Sequence, residues 1–163
     1  MSLAVAVEDE SPDSGDAALL LRLLDRELHD RYPASSVHGY DPAAAAGVGA
    51  FVVARVAGRA VGCGALRPIE PEVGEVKRMF VAREVRGRGV ARAILGALEG
   101  RAAALGLRTL RLETGARQPE AIGLYESCGY RRIPPFGEYA SDPWSVCFEK
   151  VLAGPLARRT PGW

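Results

Sequence analysis

The sequence lacks a long uninterrupted hydrophobic run. Its most apolar stretch, PAAAAGVGAFVVA at positions 42–54, is 13 residues long and is broken by two glycines. A helix that crosses a bilayer needs about 20 consecutive apolar residues. The first residues also lack the basic segment and apolar core of a secretory signal. We therefore expect no membrane partner.

Cysteine and histidine are both scarce. The chain has three cysteines, Cys63, Cys128 and Cys147, and two histidines, His29 and His38. An odd number of widely spaced cysteines provides neither a disulfide framework nor a metal-ligand spacing. Free thiols are typical of reducing compartments. The sequence therefore predicts a cytoplasmic protein with no metal site.

An excess of charge of one sign is also absent, because 21 Lys and Arg residues balance 20 Asp and Glu residues. Nothing in this balance points to nucleic acid as a partner. The charges are unevenly distributed, since residues 1–30 hold eight acidic and two basic side chains and residues 77–117 hold ten basic and three acidic ones. The basic segment would raise the local concentration of an anionic ligand. A solvated arginine-rich surface is the alternative interpretation.

What is present is the composition of an ordinary globular protein, with 48% hydrophobic and 25% charged residues in a chain of 163. A chain of this length fits one domain with a sizeable core. We expect that domain to span residues 1–152. Residues 153–163 show no hydrophobic periodicity and are expected to form a flexible tail.

The spacing of apolar residues predicts an alternation of strands and helices. Strands are expected at Leu3–Val7, in two arms of FVVARVAGRAVGCGALRPI joined at AGR, and in GEVKRMFV, LRTLRLETG, YRRI and WSVCFEKVL. Helices are expected in ALLLRLLDRELHDRY, from Gly89 to Leu105 and in QPEAIGLYESCG, and the AAAA segment at 43–46 could carry a further helical turn. The second helix has an apolar stripe of Val90, Ile94, Leu98 and Leu105.

The segment VKRMFVAREVRGRGVARAIL, at positions 76–95, joins a predicted strand to a predicted helix through a loop of glycines and arginines. The first turn of a helix has N–H groups without intrahelical partners and a dipole that favours anions. Gly87 and Gly89 would let phosphate oxygens approach the backbone, and Arg86, Arg88 and Arg92 would add donors and charge. The loop therefore predicts a diphosphate site, although a helix start with surface arginines would have the same composition.

Two common phosphate-binding motifs do not fit this loop. A P-loop for nucleoside triphosphates needs Gly-Lys followed by Ser or Thr, which is absent here. A dinucleotide fingerprint needs a third small residue where Arg92 stands, and no acidic residue follows at the required distance.

The order of the segments is more specific than the loop alone. Arg86-Gly87-Arg88-Gly89-Val90-Ala91 fits the signature Q/R-x-x-G-x-G/A, and Gln118, Ala121, Tyr125, Glu126, Gly129 and Tyr130 follow the pattern N-x-x-A-x-x-x-Y-E-x-x-G-F/Y. From Phe51 to Leu152 the chain closely resembles the GNAT superfamily of N-acetyltransferases. The resemblance implies an α+β fold, in which about four helices flank a twisted, mostly antiparallel sheet of six to seven strands with a splayed parallel central pair.

The resemblance also implies that acetyl-CoA is the acyl donor. In the family, the backbone of a bulged strand holds the pantetheine arm and the thioester, and Met79, Phe80 and Val81 occupy that strand here. The loop residues Arg86, Gly87, Arg88, Gly89, Val90, Ala91 and Arg92 would hold the diphosphate. Gln118 stands where many members have an asparagine that contacts the cofactor, and it is the longer amide.

Three residues are the main candidates for proton transfer. Tyr125 would act as the general acid that protonates the leaving thiolate, since a phenol pKa of about 10 is close to that of a thiol near 8.5. Ordinary packing is the alternative, because Ala121, Leu124, Tyr125 and Cys128 recur at helical spacing. Glu75 and Glu113 are the candidate general bases, directly or through water, and each could instead be a strand-end carboxylate paired with arginine. His29 and His38 are further possible bases, although a lone histidine on a surface helix or loop usually has no such role.

The resemblance implies transfer to a primary amine of a small molecule, by direct attack in a ternary complex. Residues expected near the acceptor are Tyr40, Phe136, Tyr139 and Trp144 as walls, and Arg67, Arg78 or Arg117 as carboxylate-binding groups. The alternatives are acetylation of protein N-termini or lysines and a CoA-binding sensor without turnover. Homodimers that pair through sheet edges are common in the superfamily, and nothing in these residues requires one.

Overall fold

The computed structural model describes residues 3–36 and 49–153. Its strands are β1 (Ala6–Asp9), β2 (Ala50–Val56), β3 (Arg59–Glu70), β4 (Val73–Val81), β5 (Thr109–Gly115), β6 (Arg131–Ile133) and β7 (Ser145–Val151). Its α-helices are α1 (Gly15–Arg31), α2 (Val90–Ala104) and α3 (Pro119–Ser127). Short 3-10 turns lie at Ala34–Ser36, Arg83–Val85 and Gly137–Tyr139.

The seven strands form one sheet in the order β1-β2-β3-β4-β5-β7-β6. The β4–β5 pair is parallel, and every other neighbouring pair is antiparallel. This arrangement confirms the predicted fold class. The described residues contain three α-helices, and the AAAA segment that could have carried a further helical turn lies outside them.

The helices cover both faces of the sheet, because the central strands are apolar on both sides. In β2, Val53 packs on one face against α1, whereas its neighbours Val52 and Ala54 join the cluster around α2 on the other face. Tyr125 of α3 belongs to the α2 cluster. No helix within residues 3–36 and 49–153 is both long enough and apolar enough to cross a membrane.

The parallel pair separates part of the way along its length. Backbone pairing of β4 with β5 runs from Val73 opposite Thr109 to Val76 opposite Leu112, and no later pair forms within the described chain. On its other side β4 carries a bulge. Lys77 pairs with Ala65 of β3 and Phe80 pairs with Cys63, so two β4 residues lie opposite the single β3 residue between those partners. A bulge bends the strand that contains it. The predicted splay of the central pair is therefore present.

Two predictions about these elements were wrong in detail. The first strand was predicted at Leu3–Val7 and is found at Ala6–Asp9, so it begins three residues later than predicted. Leu105 does not continue the apolar stripe of α2, because the helix ends at Ala104 and the Leu105 side chain is 52% exposed. Ala102, which is fully buried, completes the stripe instead.

Glycine in β3 allows α2 to pack closely on the sheet. A Cβ added at Gly64 would lie 2.8 Å from Ile94 and 2.9 Å from Leu98, both of α2, and 3.0 Å from the sulfur of Met79. Gly96 lies on the same helix, but a Cβ added there would meet no atom within 4 Å. Replacement by alanine should therefore change the free energy of unfolding in opposite directions at the two glycines.

We predict that Gly64→Ala lowers the free energy of unfolding by roughly 1–3 kcal/mol, because the core must shift to admit the methyl group. Gly96→Ala should raise it by roughly 0.5–1 kcal/mol, because alanine loses less backbone entropy in a helix. Urea titration of the three proteins measures both changes. A neutral effect of Gly64→Ala would contradict the close packing of α2 on β3.

Candidate active site

A cavity of about 530 Å³ lies where β4 and β5 separate. Its walls come from both faces of the sheet, since α1 and the loop around Tyr139 contribute from one side and α2 and α3 from the other. The lining residues include Leu24, Glu27, Leu28, Tyr32, Lys77, Arg78, Met79, Phe80, Val81, Arg86, Gly87, Gly89, Val90, Ala91, Arg92, Glu113, Gln118, Tyr125, Tyr139 and Trp144. The separation of the two strands thus creates a passage between the two faces of the sheet.

The predicted diphosphate loop borders one end of this cavity. Gly89 is the N-cap of α2 with φ of 89°, and Gly87 has φ of 77°. A Cβ at either position would meet no atom within 4 Å, so the left-handed backbone is the reason for glycine there. No acidic residue occupies the first turn of α2, so the positive end of the helix dipole is not neutralised locally. Arg88 lies outside the cavity lining.

The guanidinium of Arg86 turns back toward the protein. Its Nε donates to the Val81 carbonyl at 2.7 Å, and its Nη2 lies 2.9 and 3.2 Å from the two carboxylate oxygens of Glu27. The Glu27 carboxylate is one of the few buried charges of the molecule. These contacts join α1 to the end of β4 and fix the start of the loop, a role that the sequence did not reveal.

Arg92 joins the two helices on the other side of the sheet. Its Nη2 donates to the Ser127 hydroxyl at 2.8 Å, and its Nη1 lies 3.2 Å from the sulfur of Cys128. The side chain therefore sits between the first turn of α2 and the end of α3, at the edge of the cavity. This places one exposed positive charge beside the N-terminus of α2.

The β4 wall of the cavity has a backbone edge without a strand partner in the described chain. Met79, Phe80 and Val81 line the cavity, and their edge that faces β5 has no strand partner within the described chain. Such an edge can add an extended ligand by backbone hydrogen bonds. The three residues predicted to hold an extended arm are therefore brought together with the loop that begins α2.

Tyr125 lies on α3 with its ring buried and edge-on to Tyr130, and it lines the cavity. Its hydroxyl makes no hydrogen bond within the described part of the chain. Burial raises the pKa of Tyr125, and the neighbouring Glu113 and Cys128 raise it further. Tyr125 is therefore a neutral phenol, and the shift goes away from the pKa of a thiol rather than toward it.

The two candidate bases occupy different environments. Glu113 is half-buried, lines the cavity and accepts a hydrogen bond of 2.7 Å from the Ser145 hydroxyl. Glu75 is 1% exposed and does not line the cavity. Its carboxylate lies 2.9 Å from Nη2 of Arg67 and accepts a hydrogen bond of 2.5 Å from the Tyr139 hydroxyl. Glu113 faces the space between the strands, and Glu75 lies behind Tyr139.

Tyr32 and Gln118 together line one wall of the cavity, and of the two only Gln118 was predicted from the sequence. The Tyr32 hydroxyl donates to the Gln118 side-chain oxygen at 3.3 Å and accepts from the Arg117 backbone N–H at 3.0 Å. A Cβ at Gly115 would lie 1.8 Å from that hydroxyl, so glycine is required at the end of β5. The same Gln118 oxygen accepts from the Gly115 N–H at 3.2 Å. In this structure the Gln118 amide oxygen therefore serves the turn between β5 and α3.

Only some of the residues predicted near an acceptor lie at the cavity. Tyr139, Trp144 and Arg78 line the cavity. Phe136, Arg67 and Arg117 do not, and Arg117 instead stacks on Trp144 with its guanidinium 4.1 Å from the ring centroid. His29 is bonded to the Asp25 carbonyl, whereas Tyr40 and His38 lie outside the described residues.

Lys77 was not predicted, although it lines the cavity and is 8% exposed. Its Nζ donates to the Tyr139 hydroxyl at 3.0 Å. The signal in the sequence was a pair of adjacent cations, Lys77 and Arg78, between the apolar residues Val76 and Met79 of one strand. Among the described residues, no group of His, Cys, Asp and Glu is arranged to hold a metal ion.

Comparison with known proteins agrees with this geometry. Residues 18–130 match the Acetyltransferase (GNAT) family. An IAA acetyltransferase of Azospirillum brasilense is 43% identical over 150 residues, which cover 91% of this chain and 98% of that protein. A crystallised Klebsiella pneumoniae protein assigned to the acyl-CoA N-acyltransferases is 33% identical, with a TM-score of 0.78 over 91% of this chain and 98% of that one.

A GNAT acetyltransferase of Elizabethkingia anophelis, crystallised with acetyl-CoA bound, superposes with a TM-score of 0.66 over 91% of this chain and 98% of that one. At 20% identity this likeness concerns the fold alone. The family match and the Azospirillum relative extend the likeness to the sequence. This chain therefore belongs to the GNAT family and is an acyltransferase of the kind that uses acetyl-CoA.

Proposed function

We propose that the protein transfers an acetyl group from acetyl-CoA to a primary amine of a small molecule, by direct attack while both substrates are bound. The observation that carries the proposal is the separation of β4 from β5, which opens one cavity to both faces of the sheet. The N-terminus of α2 and Tyr125 reach it from one face. Glu113 and the wall of Tyr139 reach it from the other.

The start of α2 fits the diphosphate of acetyl-CoA, which enters the reaction as a substrate and supplies an acetyl group activated as a thioester. The first-turn N–H groups of α2 bind anions through their free donors and the helix dipole. The left-handed glycines Gly87 and Gly89 keep side chains away from this turn. Arg92 adds a charge beside it, whereas Arg86 acts by holding the loop to Glu27.

The free edge of β4 from Met79 to Val81 fits the extended pantetheine arm. Backbone N–H and C=O groups at such an edge pair with an extended ligand as an added strand does. A backbone N–H directed at the thioester oxygen would also stabilise the charge that develops there, and one such donor is worth about 3 kcal/mol in comparable sites.

Glu113 is the better candidate for the general base. It faces the cavity and lies close enough to Tyr125 that its charge contributes to raising the pKa of that phenol. We propose that it accepts the proton of the attacking amine, directly or through one water. Glu75 acts as a positioning residue in this account, because its carboxylate holds Tyr139 and is ion-paired with Arg67.

Tyr125 supplies the proton for the departing thiolate. Because burial raises its pKa, it remains protonated across the physiological range and is a weaker acid than a free phenol. It therefore donates a hydrogen bond to sulfur as the bond to the acetyl group breaks, and transfers the proton only as negative charge builds there.

A small acceptor is favoured over a peptide because side chains of α1 and of the loop at Tyr139 and Trp144 line the acceptor side of the cavity. The name of the Azospirillum relative, IAA acetyltransferase, also supports a small-molecule acceptor. The three free cysteines are in keeping with the cytoplasmic location that we propose.

The general test is release of free thiol from acetyl-CoA in the presence of single amines. We expect release with a subset of amino acids and other small primary amines, and none with peptides that present a free N-terminus or lysine. Release with peptides alone would replace the proposal with protein acetylation. Tight CoA binding without release for any acceptor would identify a sensor.

A pair of glycine variants tests the diphosphate site. Gly89→Asp should lower CoA affinity by at least about tenfold, because a carboxylate would repel the phosphates at the start of α2. Gly58→Asp is the matched control, since Gly58 also has positive φ, of 79°, and lies in the β2–β3 turn away from the cavity. Calorimetric titration with CoA measures both. Equal affinity of the two variants would contradict this assignment.

The two proton-transfer residues predict different pH dependences. Glu113→Gln should lower kcat about a hundredfold near neutral pH, and the loss should shrink as pH rises because more of the amine is then unprotonated. Tyr125→Phe should lower kcat by a similar factor, but its loss should stay constant up to about pH 10, since the phenol keeps its proton in that range.

Rates measured from pH 6 to pH 10, together with CoA affinity and the thermal midpoint, distinguish these roles from structural damage. If kcat of Tyr125→Phe falls only in proportion to its thermal midpoint, Tyr125 is a packing residue. If the loss of kcat in Glu113→Gln does not change with pH, Glu113 is not the general base.

A further inference from the structure

The bulge in β4 places two adjacent cations on one face of the sheet. Residues along a regular strand alternate between faces. Here Lys77 contacts Tyr139 and Arg78 contacts Asp25 of α1, while Phe80 joins the cluster around α1. Val76 and Val81 belong instead to the cluster around α2. The bulge therefore breaks the alternation at Lys77 and Arg78, and both side chains line the α1 side of the cavity.

Arg78 is a buried charge with incomplete hydrogen bonding. Its side chain is 7% exposed, and its Nη2 donates to the Asp25 carboxylate at 2.5 Å. Its Nε is buried and has no hydrogen-bond partner among the described residues. A guanidinium has five N–H donors, and leaving one buried without a partner is unfavourable. Asp25 is itself 47% exposed, so it neutralises Arg78 only in part.

The backbone of Arg78 is also unusual, because its φ is 58° and arginine has no intrinsic preference for the left-handed region. Strained residues of this kind are concentrated at functional sites. An arginine that is strained, buried and incompletely bonded, and that lines a cavity, has the properties of a ligand-binding group.

We propose that Arg78 binds the carboxylate of the acceptor, so that the acceptor is an amino acid or a related molecule with an amine and a carboxylate. This assignment rests on the proposed function for the direction of the reaction. Carboxylates are the natural partners of guanidinium groups, because planar N–H donors match their two oxygens. The Lys77 ammonium adds positive potential on the same face, although it is bonded to Tyr139.

The position of Arg78 orients the acceptor. Arg78 belongs to β4 and Glu113 to β5, on opposite sides of the space where the strands separate. A carboxylate held by Arg78 therefore leaves the amine directed across the gap, toward Glu113.

The wall beside Arg78 contains several apolar and aromatic side chains. Leu24 and Leu28 of α1 line it, and Tyr32 and Trp144 stand edge to face with ring centroids 6.3 Å apart. An acceptor side chain that is apolar or aromatic fits this wall better than a charged one. Aromatic and branched-chain amino acids are thus the acceptors that we expect.

The test uses a ligand that cannot be acetylated, so that it does not depend on turnover. The compound 3-phenylpropionate has the carbon skeleton and carboxylate of phenylalanine without the amine, and 3-phenylpropionamide is its uncharged counterpart. Both are titrated calorimetrically into the full chain, with and without saturating CoA. The wild-type protein should bind the carboxylate at least about tenfold more tightly than the amide, a ratio in the range expected for a charge-assisted contact.

Three variants assign the effect. Arg78→Met should abolish the preference for the carboxylate, and Arg78→Lys should keep part of it, because the charge remains without the planar donors. Arg131→Met is the control, since Arg131 is exposed on β6 and outside the cavity lining. It should leave the preference unchanged.

Equal binding of the two compounds by the wild type, or no binding of either, would overturn the role of Arg78. A preference for the carboxylate that survives in Arg78→Met would also overturn this role. If that preference is lost in Lys77→Met instead, the lysine is the anion-binding residue. These outcomes are separate from failure of the proposed function, which is judged by thiol release and by CoA binding.

Discussion

The separation of β4 from β5 is the structural feature on which the account of this protein depends. The two strands pair as neighbours in a parallel sheet up to Val76 and Leu112 and then diverge, because the bulge at Arg78 and Met79 bends β4. A continuous sheet would keep the two clusters around α1 and α2 apart. Where it opens, groups from both faces reach one space, as the proposed transfer from a bound acyl donor to a bound amine requires.

Ion pairs that each contain a buried carboxylate hold the borders of that space in position. Glu27 of α1 and Arg86 join the first helix to the end of β4, and Glu75 and Arg67 support the Tyr139 side. Removing one partner of such a pair is strongly destabilising, because the remaining charge stays buried without compensation. These carboxylates and guanidinium groups therefore stabilise the shape of the cavity, and the groups proposed to carry out proton transfer are different ones.

Local patterns were sufficient to predict most of the strands and helices and to place the candidate diphosphate loop and Tyr125 on them, whereas the roles of these residues came from the family resemblance. The glycines at the start of α2 and the helical position of Tyr125 follow from short-range spacing, since a left-handed N-cap needs glycine and a helix places every fourth residue on one face. The end of the apolar stripe was wrong at Leu105, because spacing alone does not show where a helix stops.

Local patterns did not indicate the candidate acceptor half, for which the resemblance supplied a wider set of residues; of these, Arg78, Tyr139 and Trp144 line the cavity. The contact of Arg78 with Asp25 joins residues 53 positions apart, and the contact of Arg86 with Glu27 joins residues 59 positions apart. A local pattern carries no information about such pairs. The resemblance implied a bulge in β4, but it did not show that Lys77 and Arg78 would share a face, because that depends on the residue at which the extra position falls.

Amide hydrogen exchange with and without saturating CoA tests most directly whether the cofactor enters between the separated strands. We expect slower exchange at residues 79–81, where β4 has no strand partner on the side that faces β5, and at residues 90–92, because N–H groups in the first turn of a helix have no intrahelical partners. Unchanged exchange at both places in fully CoA-bound protein would contradict the account.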